Sequence, residues 1–308
     1  MAGTLLRLMA GSLLAGLVLA ACSSAPPAPD GVQDRKNRAA DYLKFGRQAF
    51  QEAQYDQALS FYQIAVDLDT AVDHEAGMAA AWNSVATAQT ALGNAADARA
   101  ALILAENYAA LSGDRVLELQ VAVNLVQADL GAGDTPAARK RLAALQPFPQ
   151  TAEGAALEHA WGTLLKDEGH PTDALAAFDR ALAVNQKLGL KQEMASNRFM
   201  KASVLAKQGQ EDAAKTELEG ALSLDKVMEN TVGIGQDWRA LGTLAVRRGD
   251  NRTGFDAYVR AARLFEAAHL GDQQRRTVAL LIPVAVALGL NDEAARYQAI
   301  LNRLSPAP

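Results

Sequence analysis

Apolar positions along this chain recur every three to four residues, the period of a helix buried on one face, and not in the alternation of a strand. Tyr42, Phe45 and Gly46 share one face of a first helix; a break around Ala53 to Tyr55 follows, and Ala58, Tyr62 and Ala65 belong to a second. The unit returns as Trp82, Val85 and Ala86, then Gly93, then Ala98, Leu102 and Ala105. Further copies read Leu125, Gly133, Ala138, Leu142 and Leu145; Trp161, Gly162, Gly169, Ala174, Phe178 and Ala181; and Ala202, Gly209, Ala214, Leu218 and Ala221. The last two read Trp238, Leu241, Gly242, Gly249, Tyr258 and Ala261, then Leu281, Gly289, Ala294 and Leu301. Aligned on the second helix, Ala58, Ala98, Ala138, Ala174, Ala214, Gly254 and Ala294 stand 40, 40, 36, 40, 40 and 40 residues apart.

Each copy predicts a hairpin of two amphipathic helices whose turn holds a glycine as C-cap, because glycine takes positive φ without a Cβ clash. Small residues opposite one another, Gly46 with Ala58 and Gly162 with Ala174, let the two helices cross closely. One hairpin cannot bury its own apolar face, whereas seven stacked in order can, with stability drawn from nearest-neighbour interfaces.

Composition agrees with this reading. The 308 residues are 50% hydrophobic but only 6% aromatic, so alanine and leucine must do most of the packing. That favours helices and disfavours a β-rich chain, which would draw on β-branched and aromatic side chains. With 30 Lys plus Arg against 35 Asp plus Glu, the net charge of −5 supplies no general basic field, and nucleic acid is not an expected partner.

The layout resembles the tetratricopeptide repeat family, whose pattern holds a tryptophan, a Leu-Gly pair, then alanine, an aromatic and another alanine. Trp238, Leu241, Gly242, Tyr258 and Ala261 reproduce it most fully, with Gly254 in place of the first alanine of the second helix. The resemblance spans about residues 37–308 and implies an all-α, right-handed solenoid of about seven antiparallel helix pairs. The period departs from the family's usual 34 or so. The extra residues fall after the second helix, as in Ala105 to Gly113 and Ala181 to Gly189, and Pro147-Phe148-Pro149 cuts that extension short at the 36-residue interval. Pro283, inside the first helix of the last copy, is expected to kink it.

The N-terminus reads as an address. Arg7 precedes an apolar run of about 13 residues, Leu8 to Ala20, which at about 1.5 Å per residue is too short for a hydrocarbon core of about 30 Å and suits a signal segment. Leu19, Ala20, Ala21 and Cys22 resemble the lipobox of bacterial lipoprotein signal peptides, and Cys22 is the single cysteine of the chain. The resemblance implies a leader over 1–21, cleaved before Cys22, and two or three acyl chains on that cysteine. Two such chains hold a protein firmly where one does so marginally. Residues 22–36 follow as lipidated cysteine and proline-rich tether, and 37–308 as the repeat domain. Ser23, where an inner-membrane retention signal would carry Asp, implies the periplasmic face of the outer membrane.

Chemistry is sparse. No phosphate-binding loop, HExxH helix, CxxC pair or nucleophile elbow occurs. Gly131 with Gly133 and Gly233 with Gly235 read as helix caps, since neither pair carries the third glycine of a dinucleotide fingerprint. His74, His159, His170 and His269 are never three or four apart, so no helical metal pair is expected, and they read as surface or loop residues. Ser223 and Lys226 match a bare SxxK spacing without its companion motifs. Asp167 with Glu168 and Glu211 with Asp212 mark solvated hairpin turns, and Trp82, Trp161 and Trp238 read as interhelix packing. No enzyme and no cofactor are expected.

Tetratricopeptide solenoids bind protein segments along the concave face of their first helices. Carried over to this chain, that face is Leu43, Arg47, Phe50, Asn83, Thr87, Val123, Gln127, His159, Thr163, Phe199, Ser203, Arg239, Thr243 and Arg247. Arg239 and Arg247, with Arg248, Arg275 and Arg276, make the C-terminal part locally basic and able to receive a carboxylate. The expected protein is a lipid-anchored periplasmic scaffold for protein partners, of the kind that serves pilus, secretion or barrel assembly. The alternatives are an envelope hydrolase with a site built across repeats, and a lipoprotein that binds glycan or cargo.

Overall fold

The computed structural model describes residues 31–304, and within them it contains fourteen α-helices and no strand. They are α1 (Gly31–Gln51), α2 (Tyr55–Thr70), α3 (Glu75–Ala91), α4 (Ala95–Ser112), α5 (Arg115–Gly131), α6 (Thr135–Leu145) and α7 (Ala152–Asp167), then α8 (Pro171–Leu188), α9 (Lys191–Lys207), α10 (Glu211–Val227), α11 (Thr231–Arg247), α12 (Asn251–Ala267), α13 (Gly271–Ala287) and α14 (Asn291–Leu304). Odd-numbered helices are the first and even-numbered the second of seven hairpins. Successive first helices α1, α3, α5, α7 and α9 touch one another, which makes them the tighter, inner layer of an all-α solenoid. The leader, Cys22 and residues 23–30 lie outside the described residues. Residues 31–36, expected in the tether, are instead the exposed first turns of α1.

The turns are built alike. In the second hairpin the Asn94 N–H donates to the Gln89 carbonyl at 2.9 Å and the Gly93 N–H to that of Thr90 at 3.1 Å, the paired bonds that close a helix over a left-handed residue. Gly93 holds φ +82° there, and Ala53 occupies the equivalent place in the first hairpin at φ +58°. Gly233 and Gly235, expected as caps, lie inside α11; Gly235 is buried, and a Cβ on it would stand 2.8 Å from the Phe265 ring. α13 continues helical through the exposed Pro283 to Ala287.

Within the first six hairpins the crossing is set by two facing positions. Gly46, Gly162 and Gly242 on first helices face Tyr62, Phe178 and Tyr258 on second helices, and a Cβ on Gly162 or Gly242 would stand 2.8 Å from the facing ring. Where the first helix carries Ala86, Val126 or Ala202, the second carries Leu102, Leu142 or Leu218, all buried. Glycine thus goes with an aromatic ring, and a larger residue with leucine, so that each pair fills the same space. Gly254 departs from the alanine of its counterparts because a Cβ there would stand 2.4 Å from Val246 Cγ2 and 3.1 Å from the Gly242 carbonyl oxygen.

At the 36-residue interval α6 has 11 residues, as the proline pair requires. The joint is held by charge. Fully buried Asp129 on α5 accepts from Arg99 of α4 at 2.9 Å and from Arg141 of α6 at 3.3 Å, and Arg141 also meets Glu106 of α4. A buried carboxylate without such partners would be strongly destabilising. A second acidic device joins α10 to α11. Asp225 and Asp237 are both buried; Asp225 accepts from the Asn230 side chain at 2.9 Å, while Asp237 keeps one oxygen without a partner. Burial, then the charge and hydrogen bond of Asp225, push the Asp237 carboxyl up to about 8.

Two outcomes follow from these contacts. Gly162→Ala is expected to destabilise the protein by about 1–3 kcal/mol, because the Phe178 ring is fully buried and has no room to retreat. Adding Phe178→Leu should recover part of that loss, giving a coupling of about 0.5–3 kcal/mol in a double-mutant cycle of urea unfolding. Near neutrality, folded Asp237 holds a proton that the unfolded chain releases, so its contribution to stability is complete below the ordinary carboxylate range and is lost as pH rises through about 8. Asp237→Asn should therefore flatten that decline and melt about 2–4 °C above the parent at pH 8, as followed by circular dichroism between pH 4 and 9.

Candidate partner-binding groove

All fourteen residues expected to line the inner face lie on α1, α3, α5, α7, α9 and α11. Some of them line open concavities and others tie neighbouring repeats together. One concavity of about 510 Å³ is lined by Phe50, Thr87 and Gln127, together with Leu102, Asn124 and Ala128. A second, of about 290 Å³, is lined by Phe199, Ser203, Thr243 and Arg247, with Lys207 and Ala240. Each pairs an aromatic ring with hydroxyl or amide groups and small residues, a lining that takes an apolar side chain and offers partners to the peptide backbone beside it.

Asn83, His159 and Arg239 are engaged between repeats. Asn83 accepts from the Asn124 side-chain amide at 2.7 Å. His159 is largely buried, with its ring 5.5 Å from that of Phe178 and its Nδ1 3.0 Å from Asn197 Oδ1. Because the Asn197 amide nitrogen donates to the Glu193 carbonyl, its oxygen receives the His159 Nδ1–H. Burial holds the imidazole below its ordinary pKa, so it is neutral near pH 7. His159 is thus an interhelix bridge and not the surface or loop residue expected, whereas His74 does stand in the loop before α3, bound there to buried Asp69 at 2.8 Å. Thr87, Thr163 and Thr243 each donate to the carbonyl four residues back; the Thr243 oxygen also accepts from the Tyr258 hydroxyl. Leu43 and Val123 are half-buried and pack into the core, while Arg47 is exposed.

Asn124 and Lys207 were not on the expected face. Asn124 stands 41 residues after Asn83, one place out of register with the 40-residue period, so alignment alone passes it over. The acidic turn residues also do more than meet solvent: Glu168 binds Arg139 of α6, and Glu211 and Asp212 bind Arg248 at the C-cap of α11. The tryptophans are half-buried on the other side of the first helices. Trp82 lines an outer groove with Leu59, Ile64 and Leu104, and Trp238 lies under Arg260 and Lys226, whose charged groups stand 4.6 and 5.4 Å from its ring. Among the described residues no cluster of three His, Cys, Asp or Glu residues suits a metal, and no helix is long and apolar enough to cross a membrane.

No protein-family model matches the chain, and no curated protein matches it. Solved structures do. The apo form of the quorum sensor NprR from B. thuringiensis superposes with a TM-score of 0.70 at 13% identity, covering 88% of this chain and 77% of that one. Pseudomonas aeruginosa pilF matches with a TM-score of 0.57 at 18% identity, over 76% of this chain and 94% of that one. The hetero-tetramer of Cut9 and Hcn1 matches with a TM-score of 0.62 at 15% identity; 80% of this chain is covered, but it spans only 45% of that one. At these identities the likeness is one of fold, and the fold is an all-α solenoid of the tetratricopeptide-repeat type.

Proposed function

We propose that this protein is a membrane-anchored periplasmic lipoprotein that acts, without catalysis of its own, as a scaffold or adaptor, holding a protein partner along the inner face of its solenoid. The observation that carries the reading is the pair of concavities at Phe50–Thr87–Gln127 and Phe199–Ser203–Thr243–Arg247, which lie on the first-helix layer and join apolar pockets to backbone-binding groups. The company of the fold supports it: the likeness extends to a quorum sensor, to pilF and to a chain that assembles with Hcn1. The anchor rests on the sequence alone, Leu19 to Cys22 followed by the proline-rich tether. The proposed setting is assembly of an envelope complex on the periplasmic face of the outer membrane.

Two experiments test the two halves. A photo-crosslinking residue at Thr163, midway along the inner face, should yield one dominant envelope protein from intact cells, identified by mass spectrometry. Adducts from a control at exposed Ile103 on α4, with none from Thr163, would move the binding surface away from the inner face. Metabolic labelling with a palmitate analogue should mark the parent chain and not Cys22→Ser, and the variant should leave the membrane fraction. Equal labelling of both would remove the anchor.

A further inference from the structure

The arginines Arg239, Arg247, Arg248, Arg275 and Arg276 are not equivalent. Arg247 stands 3.8 Å from Glu211; Arg248 reaches Glu211 at 3.7 Å and Asp212 at 2.7 Å; Arg275 lies 3.8 Å from Asp272. Arg239 and Arg276 are without such a partner: among the described residues no carboxylate oxygen lies within 4.0 Å of either guanidinium.

Arg239 is also held in place. It is half-buried on α11, its guanidinium carbon lies 5.3 Å from the Phe265 ring centroid, and its Nη1 donates to Gln273 Oε1 on α13 at 2.7 Å. Arg276, one turn further along α13, is close enough for its charge to act on Arg239, which burial and then Arg276 lower from its ordinary pKa. On the other side the Tyr258 hydroxyl donates to Thr243 Oγ1 at 3.0 Å, which joins the place to the groove. Arg239 is thus held half-buried beside the like charge of exposed Arg276, with no carboxylate of the described residues within 4.0 Å of either. In the free protein that arrangement is unfavourable, and an arriving anion relieves it. A guanidinium offers five donors in a planar fork, of which a single glutamine oxygen uses one, and the fork matches the two oxygens of a carboxylate.

We infer that Arg239 and Arg276 form an anion clasp between the sixth and seventh repeats, which binds a carboxylate of the protein partner at the C-terminal end of the groove. The inference rests on the inner-face reading above and adds the partner's chemistry: an acidic segment, contributing either an Asp or Glu side chain or a free C-terminus. The two sources differ in what blocks them, since amidation removes only the second.

The test uses the purified full chain in detergent and three dye-labelled hexapeptides: hexaglutamate amide, hexaserine with a free C-terminus, and hexaserine amide. Fluorescence anisotropy should show binding of the first or second and not of the third, and the one that binds identifies the source. Arg239→Gln and Arg276→Gln should each weaken that binding at least about tenfold, as expected when a charged hydrogen-bond donor is lost. Arg252→Gln, which removes the same charge from an exposed pair with Asp256, should leave it unchanged. Equal binding of all three peptides, no binding of any, or undiminished binding by the double variant would overturn the clasp. A Thr163 crosslink to the same envelope protein, retained at full yield in that double variant, would overturn the clasp and leave the inner-face reading standing.

Discussion

The close crossing of the two helices in each hairpin is the constraint on which the rest of this solenoid depends. A hairpin has little apolar surface of its own, since alanine supplies most of the seam: Ala58, Ala138, Ala174 and Ala214 are fully buried. Small residues let the backbones approach, and the space that remains is filled from one side or the other, by Tyr62, Phe178 and Tyr258 against glycine or by leucine against Ala86, Val126 and Ala202. Dispersion contacts are short-ranged, so a gap of even an ångström would forfeit much of their energy. If one crossing opened, the stacked faces on both sides would lose register, because each repeat touches only its neighbours.

Charge is used to tie helices where apolar residues are missing. The middle hairpins carry Glu158, Arg198 and Lys201 at places where others carry tryptophan, valine or leucine, such as Trp82, Val85, Trp238 and Leu241. Glu158 binds Arg180 of α8, while Lys201 is drawn between Asp179 of α8 and Glu217 of α10, with Arg198 also on Glu217. Pairs of this kind near a surface are individually worth about 0–1 kcal/mol. Their effect here is to set how one hairpin is rotated against the next, since a shared Lys201 or Glu217 has to reach two helices at once. The buried triad of Arg99, Asp129 and Arg141 does the same at the shortened α6, where the continuity of the second helix is lost.

This division bears on the groove. Inner-face polar groups that bridge repeats, Asn83 with Asn124 and His159 with Asn197, are engaged in holding the first helices together. The open groups collect in the two concavities and at the unpaired arginines, so a partner laid along the inner face meets apolar pockets first and positive charge near the C-terminal end. In a chain with net charge −5 that positive end is only local.

The sequence by itself determined the helices, the seven-fold repetition and the shortened interval, while the inner face was carried over from the family resemblance. Each of the first three is a local pattern, a 3.6-residue period or a left-handed turn residue, and repetition multiplied a weak signal until it was unambiguous. Only the tertiary structure decided which polar groups on that face are free. The pairings that consume Asn83, His159 and Arg247 join residues roughly 35 to 41 positions apart, through side chains whose reach depends on how adjacent hairpins are rotated. The same dependence hid the place of Gly235, which reads as a cap by its neighbours and is packing by its contact with Phe265, and left open which of five arginines lacked a carboxylate. Periodicity specifies the face a residue occupies; the rotation between repeats specifies what it meets there.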